Sequence, residues 1–252
     1  MKTKLLAPLS LLIFVSATSI AQTASQARPA APAKLPSVQE VLAKYTKAIG
    51  GREAHEKIKS WHMNGAVEFA PMGVKGTFES ISAAPDRSLM KMNLTGLGEF
   101  IEGYDGTVAW GVNAIQGSRV KSGEELAQLK LSGNFYREIN LDKLYSRITV
   151  TGIEKINGKD AYVLVFESAG LSNTTMYFDA ATGDLLRSDA TLVSPEGRML
   201  TKTFYEDLKT FDGVRLPTRM RSVLPSHEII MTVTSLKANV PVDDVKFARP
   251  KS

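Results

Sequence analysis

From Trp61 onward, apolar positions recur at every second residue. Trp61, Met63, Gly65, Val67 and Phe69 alternate with His62, Asn64, Ala66 and Glu68, which predicts a strand with one apolar face. Strand-like runs follow at 74–82, 88–94, 99–104 and 107–112, and again at 148–156, 161–168, 174–178, 185–191, 199–208, 218–224 and 228–236. Turn signals separate them, among them Pro85-Asp86, Asp105-Gly106, Asn157-Gly158, the 180–183 turn, Pro195-Glu196-Gly197, Asp212-Gly213 and Pro225-Ser226. Asp-Gly between two such runs is a strong hairpin signal. Strands joined by tight turns pair antiparallel, and about 11 of them in one sheet curl because twist accumulates from strand to strand. The expected fold is mainly β with helices (α+β): a strongly curved antiparallel sheet or unclosed β-barrel, with one apolar face that needs a cover.

Two segments can supply that cover. Ser37-Val38-Gln39-Glu40 forms a capping-box pattern, and Val38, Val41, Leu42, Tyr45 and Ile49 follow at helical spacing until Gly50-Gly51. A short second helix is expected over 52–57. Ser122-Gly123-Glu124-Glu125 repeats the capping pattern and opens an apolar, partly helical stretch to Tyr145 that contains Leu126, Leu129, Phe135, Tyr136, Ile139, Leu141 and Leu144. That stretch interrupts the run of strands, so it is expected to lie over the apolar face.

The ends change the picture. Lys2 and Lys4 precede an apolar run from Leu5 to Val15, and small residues end at Ser19-Ile20-Ala21. This is a signal peptide, with cleavage expected after Ala21 and export to the periplasm. Residues 22–36 are rich in Ala, Gln, Ser and Pro and predict a disordered linker, which leaves 37–252 as a single domain. No later run of about 18 apolar residues suggests a membrane-spanning helix. The chain has no cysteine, which excludes disulfides, thiolate metal sites and cysteine nucleophiles. Its net charge of +5 falls to about +3 once the leader is lost, with basic residues dispersed. No nucleic-acid face is expected, while transient contact with a membrane surface fits.

Candidate chemistry is sparse. His55, His62 and His227 show no metal-ligand spacing and read as solvated surface histidines, and no Gly-x-Ser-x-Gly elbow supports a triad. Glu124 and Glu125 suit a helix N-terminus, and Asp105, Asp179 and Asp212 suit turns in which a carboxylate caps its own backbone. No phosphate loop or dinucleotide fingerprint occurs. No cofactor, metal or catalytic residue is expected.

Four segments carry a family resemblance: Ala48-Ile49-Gly50-Gly51-Arg52-Glu53-Ala54, Gly103-Tyr104-Asp105-Gly106-Thr107-Val108-Ala109-Trp110, Tyr177-Phe178-Asp179-Ala180-Ala181-Thr182-Gly183-Asp184-Leu185-Leu186, and Asp212-Gly213-Val214-Arg215-Leu216-Pro217. Together they resemble bacterial outer-membrane lipoprotein-sorting-like proteins of the LolA/LolB-like superfamily, over about residues 38–250. The resemblance implies an unclosed β-barrel lidded by helices, a periplasmic location and a carrier for lipoprotein acyl chains. Each methylene removed from water contributes about 0.8 kcal/mol, so a carrier needs a large, adaptable, uncharged lining. Trp61, Met63, Phe69, Phe78, Met90, Met92, Phe100, Trp110, Leu129 and Phe135 are the candidates. Taken singly, each also suits a closed core. The expected function is a non-catalytic binding or carrier protein for a lipid, acyl chain or lipoprotein. The alternative is an envelope interaction module with a filled barrel, and an unrecognised hydrolase ranks third.

Overall fold

The computed structural model describes residues 34–114, 116–195 and 197–250. The expected signal peptide, its cleavage point and linker residues 22–33 lie outside the described residues. Two helices come first, α1 (Val38–Ala48) and α2 (Arg52–Lys57). The first capping box forms as expected: the Ser37 hydroxyl accepts from the Glu40 amide at 3.2 Å, and the Ser37 amide donates to the Glu40 carboxylate at 2.6 Å.

Six strands follow: β1 (Ser60–Ala70), β2 (Val74–Ala83), β3 (Arg87–Leu94), β4 (Gly98–Tyr104), β5 (Ala109–Asn113) and β6 (Gly117–Val120). Helix α3 (Gly123–Ser132), a 3-10 turn (Arg137–Ile139) and the short α4 (Leu141–Leu144) interrupt them. Strands β7 (Arg147–Ile156), β8 (Lys159–Glu167), β9 (Thr174–Asp179), β10 (Leu185–Ser194), β11 (Gly197–Phe211), β12 (Val214–Val223) and β13 (Glu228–Ala238) complete the sheet, and a C-terminal 3-10 turn covers Asp244–Phe247.

The 13 strands among the described residues form one antiparallel sheet in the order β6-β5-β4-β3-β2-β1-β13-β12-β11-β10-β9-β8-β7. Two meanders are thus joined where the first strand pairs with the last. The sheet does not close, and its edges β6 and β7 are bridged in sequence by the segment carrying α3 and α4. Strand β6, Gly-Ser-Arg-Val, is the element that apolar alternation does not reveal. Its pairing with β5, Trp110 opposite Val120, supplies the order that its own side chains do not.

Because every connection within each meander is a hairpin, the turns alternate between two ends of the sheet. At one end the helical segments are tied down. Lys44 Nζ donates to Ala180 O at 2.5 Å, the Arg215 amide to Ile49 O at 2.9 Å, and the Phe135 amide to Pro85 O at 3.0 Å. These bonds reach the β9–β10, β11–β12 and β2–β3 turns. Gly50 permits the closest approach, since a Cβ there would lie 2.0 Å from Gly213 O. Helix α1 with its C-terminal Ile49, and the chain at Phe135, therefore plug this end.

Candidate functional site: the inner face of the open sheet

Strand register shows which side chains share the face that carries the helices. Met176 faces Ser188, Ser188 faces Thr203, Thr203 faces Ser222, Ser222 faces Ile229, and Ile229 faces Phe69. A second row runs Gly65, Phe78, Met92, Phe100. One continuous inner face thus extends from β9 to β4.

The two halves of that face are filled differently. Over β8–β10, Val41 and Tyr45 of α1 and Ile49 just after it, with Ile139, Leu141 and Tyr145, pack onto Leu164, Phe166, Met176 and Phe178, leaving the last four fully buried. Tyr45 meets Phe178 edge-on, and its hydroxyl donates to Glu138 at 2.5 Å. Arg137 pairs with Glu138 at 2.6 Å. Burial opposes its charge more than any single neighbour favours it, but Glu138 together with Tyr145 and Tyr205 prevails and keeps the guanidinium protonated. This half is a closed core.

Over β1–β4 and β13 no helix among the described residues supplies such a layer. Val67, Phe78 and Leu94 are buried, while Met63, Phe69, Val74, Met90, Met92, Phe100, Ile229, Met231 and Val233 pack against them and stay half-buried. This apolar strip continues through Ile229 into a cavity of about 350 Å³ lined by Gln128, Leu131, Ser188, Ala190, Leu192, Thr201, Thr203, Ser222 and Leu224 among others. The cavity floor carries hydroxyls. Apolar strip and hydroxyl floor therefore lie side by side, an arrangement suited to an amphiphile.

Helix α3 lies across this region and contains no buried residue. Polar contacts hold it. Glu125 accepts two hydrogen bonds from Arg119, each 2.6 Å, and lies 3.2 Å from Lys121 Nζ. Arg119 holds the Glu125 carboxyl below the usual carboxylate range. Glu124 pairs with Arg198 at 2.6 Å, and Gln128 bonds to the Thr191 carbonyl and the Val193 amide of β10. The second capping box does not form: Ser122 is the N-cap but makes no side-chain bond, because Glu125 is turned to the stronger cationic partners on and beside β6.

The candidates therefore separate. Met63, Phe69, Phe78, Met90, Met92 and Phe100 gather in the apolar strip. Trp61 and Phe135 share a cluster at the plugged end with Ile58 and Val214, and Leu129 is half-buried on α3. Trp110 does not line the inner face. It stands on the opposite face, 1% exposed, packed with Phe247, and its indole N–H donates to Phe247 O at 2.8 Å. Gly103 leaves room for the indole, since a Cβ there would lie 2.3 Å from it. Met231, with Ile229 and Val233, belongs to the strip but was not expected; it sits in an alternating run that could have marked it.

The histidines are dispersed. His62 bonds to Glu79 at 2.8 Å, and His227 bonds to its neighbour Ser226 and stacks on Phe69. His55 departs from the expected solvated position: it is 8% exposed, with Nε2 3.2 Å from Ile49 O, and burial lowers its pKa. Among the described residues no group of three or more His, Cys, Asp or Glu is placed to hold a metal.

No protein-family model and no curated protein sequence matches the chain. Solved structures do. A DUF1329 family protein from Desulfovibrio piger superposes with a TM-score of 0.58 at 17% identity, covering 85% of this chain and 98% of that one. A LolA superfamily protein from Nitrosomonas europaea gives 0.56 at 17% identity, covering 85% and 99%. A putative outer membrane lipoprotein-sorting protein domain from Vibrio parahaemolyticus gives 0.51 at 13% identity, covering 82% and 94%. The fold is LolA-like. At these identities the likeness concerns the fold alone, and within the LolA-like fold the half-open apolar strip is a property of this chain's own residues.

Proposed function

We propose that the protein is a non-catalytic carrier or receptor for an amphiphile with a long apolar chain, a lipid or an acylated protein, in the periplasm. The reading rests chiefly on the half-buried Met and Phe strip that runs into the hydroxyl-floored cavity beneath α3. In a closed core those side chains would be covered like Phe166 and Phe178, which are 0% exposed. An acyl chain would cover them, and its polar end would meet Ser188, Thr203 and Ser222. Methionine adapts its shape at little cost, which suits a strip that takes chains of varied length and unsaturation. The lipoprotein-sorting domain from Vibrio parahaemolyticus supports the same setting at the level of fold.

Protein purified from the periplasm without detergent should yield a stoichiometric amphiphile on solvent extraction and mass spectrometry. It should also take up a fluorescent long-chain fatty acid once stripped. A stripped protein that binds no acyl probe would contradict the proposal and favour an interaction module.

A further inference from the structure

The outer face of β3–β5 carries the side chains that alternate with the inner strip. Leu89 lies level with Gly103 and Trp110, and Lys91 with Ile101 and Val112. The segment after β13 crosses this face as a strap. Phe247, 0% exposed, clusters with Ile81, Leu89 and Trp110. Arg87 pairs with Asp244 and lies over the Phe247 ring, 5.5 Å from its centre. Arg249 donates to Ser118 Oγ from Nε at 3.1 Å and from Nη2 at 2.9 Å.

Between strap and strands a cavity of about 430 Å³ remains. Leu89, Ile101 and Trp110 give it an apolar wall, and its charged lining is of one sign: Lys91, Lys246 and Arg249. No Asp or Glu among the described residues lines it. Nearby acids are turned elsewhere, Glu79 opposite Lys91 to His62 at 2.8 Å, and Asp244 to Arg87. The ammonium groups of Lys91 and Lys246 make no hydrogen bond or ion pair with the described residues.

Cations gathered around an apolar recess repel one another, and an anion relieves that repulsion. A bare inorganic anion would leave the apolar wall uncovered, and an uncharged hydrocarbon would leave the cations unpaired. Only a ligand that carries both features answers the whole lining. The apolar wall crosses three strands, about 10 Å, the length of a compact ring system with its charged group. An aromatic ring gains more here than a saturated one, because the same cations can also lie against its face.

We propose that this outer recess is a binding site for a small aromatic carboxylate, separate from the inner face and independent of the carrier reading. The ring lies against Ile101 and the edge of the Trp110–Phe247 cluster, and the carboxylate sits among Lys91, Lys246 and Arg249.

The test is titration of the nitrogen-15-labelled protein, without residues 1–21, followed by NMR. The two tryptophans are internal reporters: the Trp110 indole N–H bonds to Phe247 O at 2.8 Å beside the recess, whereas Trp61 lies at the plugged end of the inner face. 2-Naphthoate should shift the Trp110 indole signal with a Kd of about 0.1–1 mM and leave Trp61 in place. The uncharged 2-naphthylmethanol and inorganic phosphate should each bind about tenfold more weakly. Lys91→Gln and Lys246→Gln should each weaken naphthoate about threefold, and together about tenfold. Lys209→Gln makes the same charge change at an exposed position on β11 and should leave the Kd unchanged. A saturating long-chain fatty acid should not displace the naphthoate. A Trp110 signal that naphthoate does not move, equal binding of the alcohol or of phosphate, an unchanged Kd in the double lysine variant, or displacement by the fatty acid would each overturn the site. None of these outcomes decides fatty-acid uptake, which tests the carrier reading by itself.

Discussion

His55 shows how a single side chain can be misread from its neighbours. It sits among Arg52, Glu53, Glu56 and Lys57, a setting that predicts solvent, but α2 turns it inward against Ile49 O. Burial lowers its pKa, so below about pH 6.5 the unfolded chain takes up a proton that the folded His55 resists. This contribution to stability is present above that pH and is lost as the pH falls. The urea midpoint should therefore drop between about pH 7.5 and about pH 5.5, and His55→Gln should make that drop smaller. Equal drops in both proteins would show that His55 does not drive it. Trp110 was misplaced for a different reason. Alternation assigns residues to two faces but cannot say which face is inner, and here the C-terminal turn gives the outer face of β5 its own cover.

At the scale of elements, strands with alternating side chains were legible, and so was α1, whose capping box and apolar spacing agree. Strand β6 was not, because its order comes from its partner. The segment after it was expected to be greasy along its length, but its parts differ. Residues 135–145 include core side chains such as Ile139 and Leu141, whereas α3 fully buries none: it sets a half-buried Leu131 against that core and is otherwise held by ion pairs and Gln128. An element held in this way belongs to the less stable end of the molecule. Amides of 123–132 should exchange with solvent faster than those of β8, and Glu125→Gln should speed them further by weakening the contacts to Arg119 and Lys121. A long-chain fatty acid should slow them. Exchange in α3 as slow as in β8 would show that α3 is a fixed part of the core.

At the scale of the whole sheet, one end is plugged by α1 and the other is not, and that asymmetry was not readable from periodicity. The strip residues could be picked from β1 to β4 because each strand alternates, but whether a helix covers them depends on where α1 and α3 come to rest. Tyr45 and its neighbours cover β8–β10 and leave β1–β4 half-bare. The methionines report on both halves. Met90, Met92 and Met231 lie in the half-buried strip, and Met176, 0% exposed, lies in the closed core. Methyl NMR of carbon-13-labelled methionines during titration with a long-chain fatty acid separates the two regions. Met90, Met92 and Met231 should shift and saturate together while Met176 stays in place; strip methyls unmoved at saturating ligand would contradict the assignment of the binding face.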